Sequence, residues 1–112
     1  MFEAIAKFRQ NLLNGQVLIG AGVYVVDPQS SDALSDSVDF LWYDQEHSTM
    51  SLDALRGHII VARNRGKPAI VRISELGRPF IKPVLDSGAD GIVVPQVKTA
   101  DEVKSLIEDC RY

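Results

Sequence analysis

The feature that most limits how this chain can fold is a fourfold alternation between short apolar runs and longer segments whose apolar residues recur at helical spacing. Val17 to Val26, Val38 to Tyr43, Ala69 to Ile73 and Gly91 to Val94 have the length and β-branched content of strands. The spacing predicts helices over Gln29 to Ser35, from a Ser51 cap to Asn64, over Arg78 to Asp86 and over Thr99 to Asp109, where Thr99 and Glu102 have capping-box spacing. Asp27-Pro28, Arg65-Gly66-Lys67-Pro68, Ser87-Gly88 and Pro95 punctuate the alternation. Nearly continuous apolar strands joined by amphipathic helices predict a parallel sheet, because a right-handed crossover helix must lie on the sheet it connects. The predicted class is α/β.

Four βα units are half of a TIM (β/α)8 barrel, which takes about 250 residues. With 112 residues, residues 1–112 are predicted to form a single partial domain, the (βα)4 N-terminal half of such a barrel. Phe2, Ile5, Ala6, Phe8, Leu12 and Leu13 recur at close to helical spacing ahead of Asn14-Gly15. They predict an extra leading helix from Phe2 to Asn14 that covers one end of the sheet.

Composition removes several classes of function. The 15 acidic and 12 basic residues give a net charge of −3 and are spread along the chain, leaving no basic stripe for a phosphate backbone, so nucleic acid is not an expected partner. No apolar run approaches the roughly 20 residues that cross a bilayer. Glu3, Lys7 and Arg9 interrupt the start of the chain, unlike a signal peptide, and no membrane partner and a cytoplasmic location are expected. The single cysteine, Cys110, cannot form an internal disulfide and reads as chemically idle.

The most informative polar cluster follows the second strand, where Phe40-Leu41-Trp42-Tyr43 runs into Asp44-Gln45-Glu46-His47. Active sites of parallel α/β folds lie at that strand edge. Alternation puts Asp44 and Glu46 on one side, Gln45 opposite, and His47 at the start of the loop; a plain solvated strand exit has the same composition. Arg72, near the end of the third strand, must reach the mouth of the sheet or be paired, so it predicts either an anion site or a structural salt bridge with a carboxylate such as Asp44. His58 reads as a packed or surface helix residue and Trp42 as core. Asp86 ends a helix where a carboxylate opposes the dipole, a hint of a role beyond a solvated helix end. Pro95-Gln96-Val97 can line the same mouth. Gly20-Ala21-Gly22 is no phosphate loop, and no Gly-x-Gly-x-x-Gly is present.

Taken together, Asp44-Gln45-Glu46-His47, Ile70-Val71-Arg72, Lys82-Pro83-Val84-Leu85-Asp86-Ser87-Gly88-Ala89 and Val94-Pro95-Gln96-Val97 resemble the ordered signatures of the HpcH/HpaI aldolase family. The resemblance runs from about Leu18 to Tyr112 and is most specific at Asp44-x-Glu46-His47 and Leu85-Asp86-x-Gly88-Ala89. It implies a class II, metal-dependent aldolase of 2-keto acids, in which Mg²⁺ or Mn²⁺ holds pyruvate and stabilises its enolate. It also implies His47 as general base, Asp86 as the carboxylate orienting that imidazole, and Arg72 as the ligand of the keto oxygen, with Asp44 and Glu46 supporting the site. The implied partner is pyruvate or another small 2-keto acid; full-length members are commonly oligomeric, which does not carry over to a half chain. Gln45 departs from the family's usual smaller or apolar residue. The family's metal-binding Glu and Asp belong to the second half of the barrel, so no metal ligand is expected among residues 1–112. The citrate-lyase-β type of acyl-CoA lyase shares the barrel, and Asp44-x-Glu46-His47 favours the aldolase branch.

A different class of function follows from those missing ligands: a non-catalytic half-barrel that assembles with itself or with a partner half. An open four-stranded sheet leaves two edges and its apolar interior to be covered.

Overall fold

The computed structural model describes residues 2–112. Its order is α1 (Glu3–Leu13), β1 (Gly20–Val23), α2 (Gln29–Ser35), β2 (Phe40–Asp44), α3 (Leu52–Asn64), β3 (Ala69–Arg72), α4 (Arg78–Asp86), β4 (Gly91–Val93) and α5 (Ala100–Cys110). The four strands form one sheet in the order β1-β2-β3-β4, and every pairing is parallel. The predicted α/β class, the fourfold repeat and the extra leading helix are all present.

Helix boundaries follow the local signals. The Ser51 hydroxyl accepts from the Ala54 amide and starts α3; Gly66, at φ 67°, lets the chain turn away after it. Thr99 and Glu102 form the reciprocal capping box of α5. The first strand is shorter than its apolar run: Gly20 pairs with Phe40, and residues 17–19 precede the start of β2. Ile19 is instead tied to Asp39, whose amide donates to the Ile19 carbonyl at 2.7 Å and whose carboxylate accepts from the Ile19 amide at 2.8 Å.

Alternation along the strands separates two faces. Val23, Leu41, Tyr43, Ala69 and Val71 are buried together with Leu55, Ile59 and Ala62 of α3 and Ile81 and Val84 of α4, and this layer is the core. Phe40, Trp42, Ile70 and Arg72 alternate with them on the other face and are half-buried. Gly20, Gly22 and Gly91 are register partners of Phe40, Trp42 and Ile70 on that inner face, and rings and methyl groups fill the space their missing side chains leave: the Phe40 ring lies 2.3 Å from where a Gly20 Cβ would be. Helix α1 packs across the strand starts, with Phe8 edge-on to Phe40 at 5.4 Å between centroids.

Candidate functional site

Asp44 and Arg72 are register partners at the ends of β2 and β3, so the ladder alone puts their Cα atoms side by side on one face. Their side chains then pair at two points: Arg72 Nε donates to Asp44 Oδ1 at 3.1 Å, and Nη2 donates to Oδ2. Asp44 Oδ1 also accepts from the amides of Glu46 at 2.8 Å and His47 at 3.2 Å, which folds the exit of β2 into a turn around the carboxylate. The Ser48 hydroxyl closes the turn by donating to the Asp44 carbonyl. With its side chain only 1% exposed, Asp44 is a buried anion with four donors, and its pKa falls to about 2. The Arg72 hydrogen bond is the largest cause, opposed by burial and helped by the two amides and by the guanidinium charge.

Arg72 keeps 27% of its side chain exposed. Its pKa is raised, first by the Asp44 hydrogen bond and against desolvation, then by the charges of Asp44, Glu46 and Tyr24. Glu46 Oε1 stands 3.5 Å from Arg72 Nη1 and 3.0 Å from His47 Nε2. Asp44, Arg72, Glu46 and His47 therefore form one chain of polar contacts that runs from a buried carboxylate to an imidazole 69% exposed. Of the two alternatives for Arg72, the structure shows the salt bridge with Asp44. Two-point pairing at one edge leaves other N–H groups for an anion at the mouth. A cleft of about 400 Å³ opens beside Glu46, lined also by Ser74, Glu75, Gln96 and Lys98. Gln96 borders it in the left-handed region, at φ 56°.

Asp86 lies elsewhere. It ends α4, four residues before Asp90, whose amide and carboxylate bind the backbone of Ala69 at the start of β3. Arg72 is at the other end of that strand, three residues or roughly 10 Å away. The Asp86 carboxylate is exposed and accepts a 2.6 Å hydrogen bond from the Tyr112 hydroxyl. The structure brings Asp44, Glu46, His47 and Arg72 together and does not bring Asp86 to His47 within one copy of the chain.

Among the described residues, no group of three His, Cys, Asp or Glu side chains converges as a metal site. Both Asp44 oxygens are already occupied, and the Glu46 oxygen that faces the site is shared between Arg72 and His47. These residues do not fit a divalent cation.

Two features escaped the sequence reading. Tyr24 lies over Gly22, its ring 2.9 Å from where a Gly22 Cβ would be, so it occupies the inner face just past β1, one residue beyond the Val23–Tyr43 register pair and so level with Asp44. His58 is fully buried and bonded at both ring nitrogens. The Gly-x-Gly-x-Tyr spacing hinted at the first; nothing in the α3 sequence separates a bonded buried histidine from a merely packed one.

A parallel βα sheet with a charged cluster at the carboxyl ends of its strands has the layout of part of an α/β barrel, a fold whose active sites lie at that edge. The chain belongs to the HpcH/HpaI aldolase/citrate lyase family, whose profile matches residues 29–112. It is 30% identical over 106 residues to a hydroxypyruvate/pyruvate aldolase of Roseobacter denitrificans, covering 94% of this chain and 41% of that protein. It is 31% identical over 114 residues to a 4-hydroxy-2-oxovalerate aldolase of Rhodococcus jostii, covering 100% and 44%. The crystal structure of an HpcH/HpaI aldolase from Desulfitobacterium hafniense superposes with a TM-score of 0.85 over 93% of this chain and 41% of that one, at 24% identity. The chain thus spans about two fifths of the length of the relatives it matches. No helix among the described residues is long and apolar enough to cross a membrane.

Proposed function

We propose that this chain supplies the keto-acid half of an aldolase site that cleaves a 4-hydroxy-2-keto acid to pyruvate and an aldehyde. The observation that carries the reading is the half-exposed Arg72 guanidinium, held by Asp44 at a strand end beside His47. In the cleavage direction the base takes the proton of the C4 hydroxyl, directly or through water, and the C3–C4 bond breaks. The aldehyde leaves, and the bonding pair forms the enolate of pyruvate, which is protonated at C3. His47 is the base and Arg72 binds the keto oxygen that becomes the enolate oxygen. Asp44 and Glu46 fix the guanidinium and the loop. The Mg²⁺ or Mn²⁺ expected from the resemblance would supply Lewis acidity, and its ligands are not among these residues. A role for Asp86 in orienting an imidazole requires the His47 of a second copy, because its own His47 is at the other end of the sheet.

The test is exchange of pyruvate methyl protons with D₂O, followed by proton NMR, in the presence of Mn²⁺ or Mg²⁺. Enolisation needs no knowledge of the aldehyde. Exchange well above the free-metal background, lost in Arg72→Ala and retained in part in His47→Ala, supports the reading. Exchange indifferent to Arg72 overturns it.

A second reading, a non-catalytic assembly module, is favoured by the half-exposed inner face bearing Phe40, Trp42 and Ile70 and by the outer edges of β1 and β4, which have no strand partner among the described residues. Sedimentation at micromolar concentration with an apolar dye tests it. A dye-negative monomer argues against it.

A further inference from the structure

The five-residue step from β1 into α2 is held from below by a buried polar relay that the proposed chemistry does not use. Val26 carries a carbonyl and no free donor at that point, so His58 Nε2, 2.9 Å away, must donate to it. In the neutral imidazole this leaves Nδ1 as an acceptor, and the Ser31 hydroxyl at 2.7 Å donates to it. Ser31 Oγ in turn accepts from the Tyr43 hydroxyl at 2.8 Å. Burial pushes the Tyr43 phenol up to about 12, so it remains a donor throughout the neutral range. With the imidazole neutral the relay runs from Tyr43 through Ser31 and His58 to Val26, and the Tyr43 hydroxyl also lies 3.4 Å from the His58 carbonyl. The relay links β2, at the residue before Asp44, through α2 and α3 to the loop after β1.

A second observation places the same helix against the same loop. At Gly57, next to His58, a Cβ would stand 3.0 Å from the Pro28 ring, so α3 reaches the loop closely only because that residue has no side chain. Asp27 finishes the turn, its carboxylate accepting from the Gln29 amide at 2.9 Å. The loop is therefore fixed at Val26 and Pro28, while Tyr24, two residues before Val26, projects onto the inner face over Gly22 with 54% of its surface open.

We propose that His58 is a positioning residue which, through the Val26 carbonyl, holds Tyr24 as one wall of the keto-acid site beside Arg72. Its target is a small 2-keto acid: the phenol ring offers an apolar face to the methyl end, while the carboxylate and keto oxygens turn to the guanidinium. Breaking the relay frees the loop, and a ring that is more than half exposed has little else to keep it in place. The inference rests on the pyruvate reading for its ligand, but not for its geometry.

The test is a double-mutant cycle on pyruvate methyl exchange at subsaturating pyruvate, with Tyr24→Ala, His58→Phe and the double variant. Each single change is expected to lower the rate roughly ten- to a hundredfold, and the double variant is expected to be no slower than Tyr24→Ala. His58→Gln, which can present an N–H to Val26, should recover part of the loss. If His58→Phe costs the same factor with and without Tyr24, its role is structural and the proposal fails. An NOE between the Tyr24 ring and the Gly22 α-protons, present in the parent chain and lost in His58→Phe, is the readout that needs no pyruvate. Its persistence overturns the proposal even if exchange is never seen, whereas absent exchange with an NOE that depends on His58 sinks the pyruvate reading alone. Should His58→Phe not fold, Ser31→Ala removes the middle of the relay and is read the same way.

Discussion

Asp44 and Arg72 are neighbours twice over, as register partners across β2 and β3 and as a two-point ion pair between their side chains. The pairing depresses the Asp44 pKa from 3.8 to about 2. A carboxylate whose folded pKa lies below its unfolded value adds stability that is complete above the unfolded pKa and lost as pH falls through the folded one. Urea unfolding is therefore expected to weaken between pH 4 and pH 2 by on the order of 1–2 kcal/mol from this group, allowing for water at the open mouth. Asp44→Asn should lose that part of the pH dependence and be less stable at pH 7. An identical pH profile in parent and variant would mean that the pair contributes nothing to folding.

Arg72→Lys separates charge from shape. Lysine keeps the positive charge but cannot present Nε and Nη2 to the two Asp44 oxygens while another N–H faces a ligand. Pyruvate exchange should fall by about 10²-fold or more, close to the loss in Arg72→Ala. Recovery of near-parent exchange in the lysine variant would show that only the charge matters.

The class, the repeat and the charged mouth were legible in the sequence because each rests on local pattern. Strand alternation put Asp44 opposite Gln45, and the end of an apolar run put Arg72 at the sheet edge. Three-dimensional reach was not legible. Asp86 stood in a stretch that resembles the family as strongly as Asp44-x-Glu46-His47 does, yet the direction of α4 carries it to the strand starts, where it meets Tyr112. Tyr24 was hidden for the converse reason. Its place over the inner face depends on Gly22 lacking a side chain, a relationship of shape that no periodicity records. Similarly, β1 proved shorter than its apolar run because the run outlasts its partner strand.

Asp86→Asn tests what that placement means. In a dilute monomer the substitution should leave pyruvate exchange unchanged, since the carboxylate binds Tyr112 and lies a strand length from its own His47. An effect that emerges only at concentrations where the chain self-associates would assign Asp86 to a neighbour's imidazole. An effect in the monomer would contradict the geometry. Exchange rates measured alongside sedimentation across a dilution series distinguish the three.

Gly88 explains why the Leu85-Asp86-x-Gly88-Ala89 stretch is so characteristic without any appeal to catalysis. The chain leaves α4 at φ 100° there, a conformation that residues with a Cβ rarely adopt, and its amide donates to the Leu85 carbonyl at 2.9 Å to close the helix. A Cβ at this position would also stand 2.4 Å from Arg63 Nη1, but that guanidinium ends a flexible side chain and can move aside. Backbone strain is therefore the larger cost, and Gly88→Ala should destabilise the fold by about 1–2 kcal/mol, lowering Tm by several degrees in a domain of this size. Because Gly88 lies at the strand starts, the Arg72 Nε–H resonance and pyruvate exchange per folded molecule should not change. A Gly88→Ala variant that keeps its Tm but loses exchange would reverse the assignment and make the turn part of the chemistry.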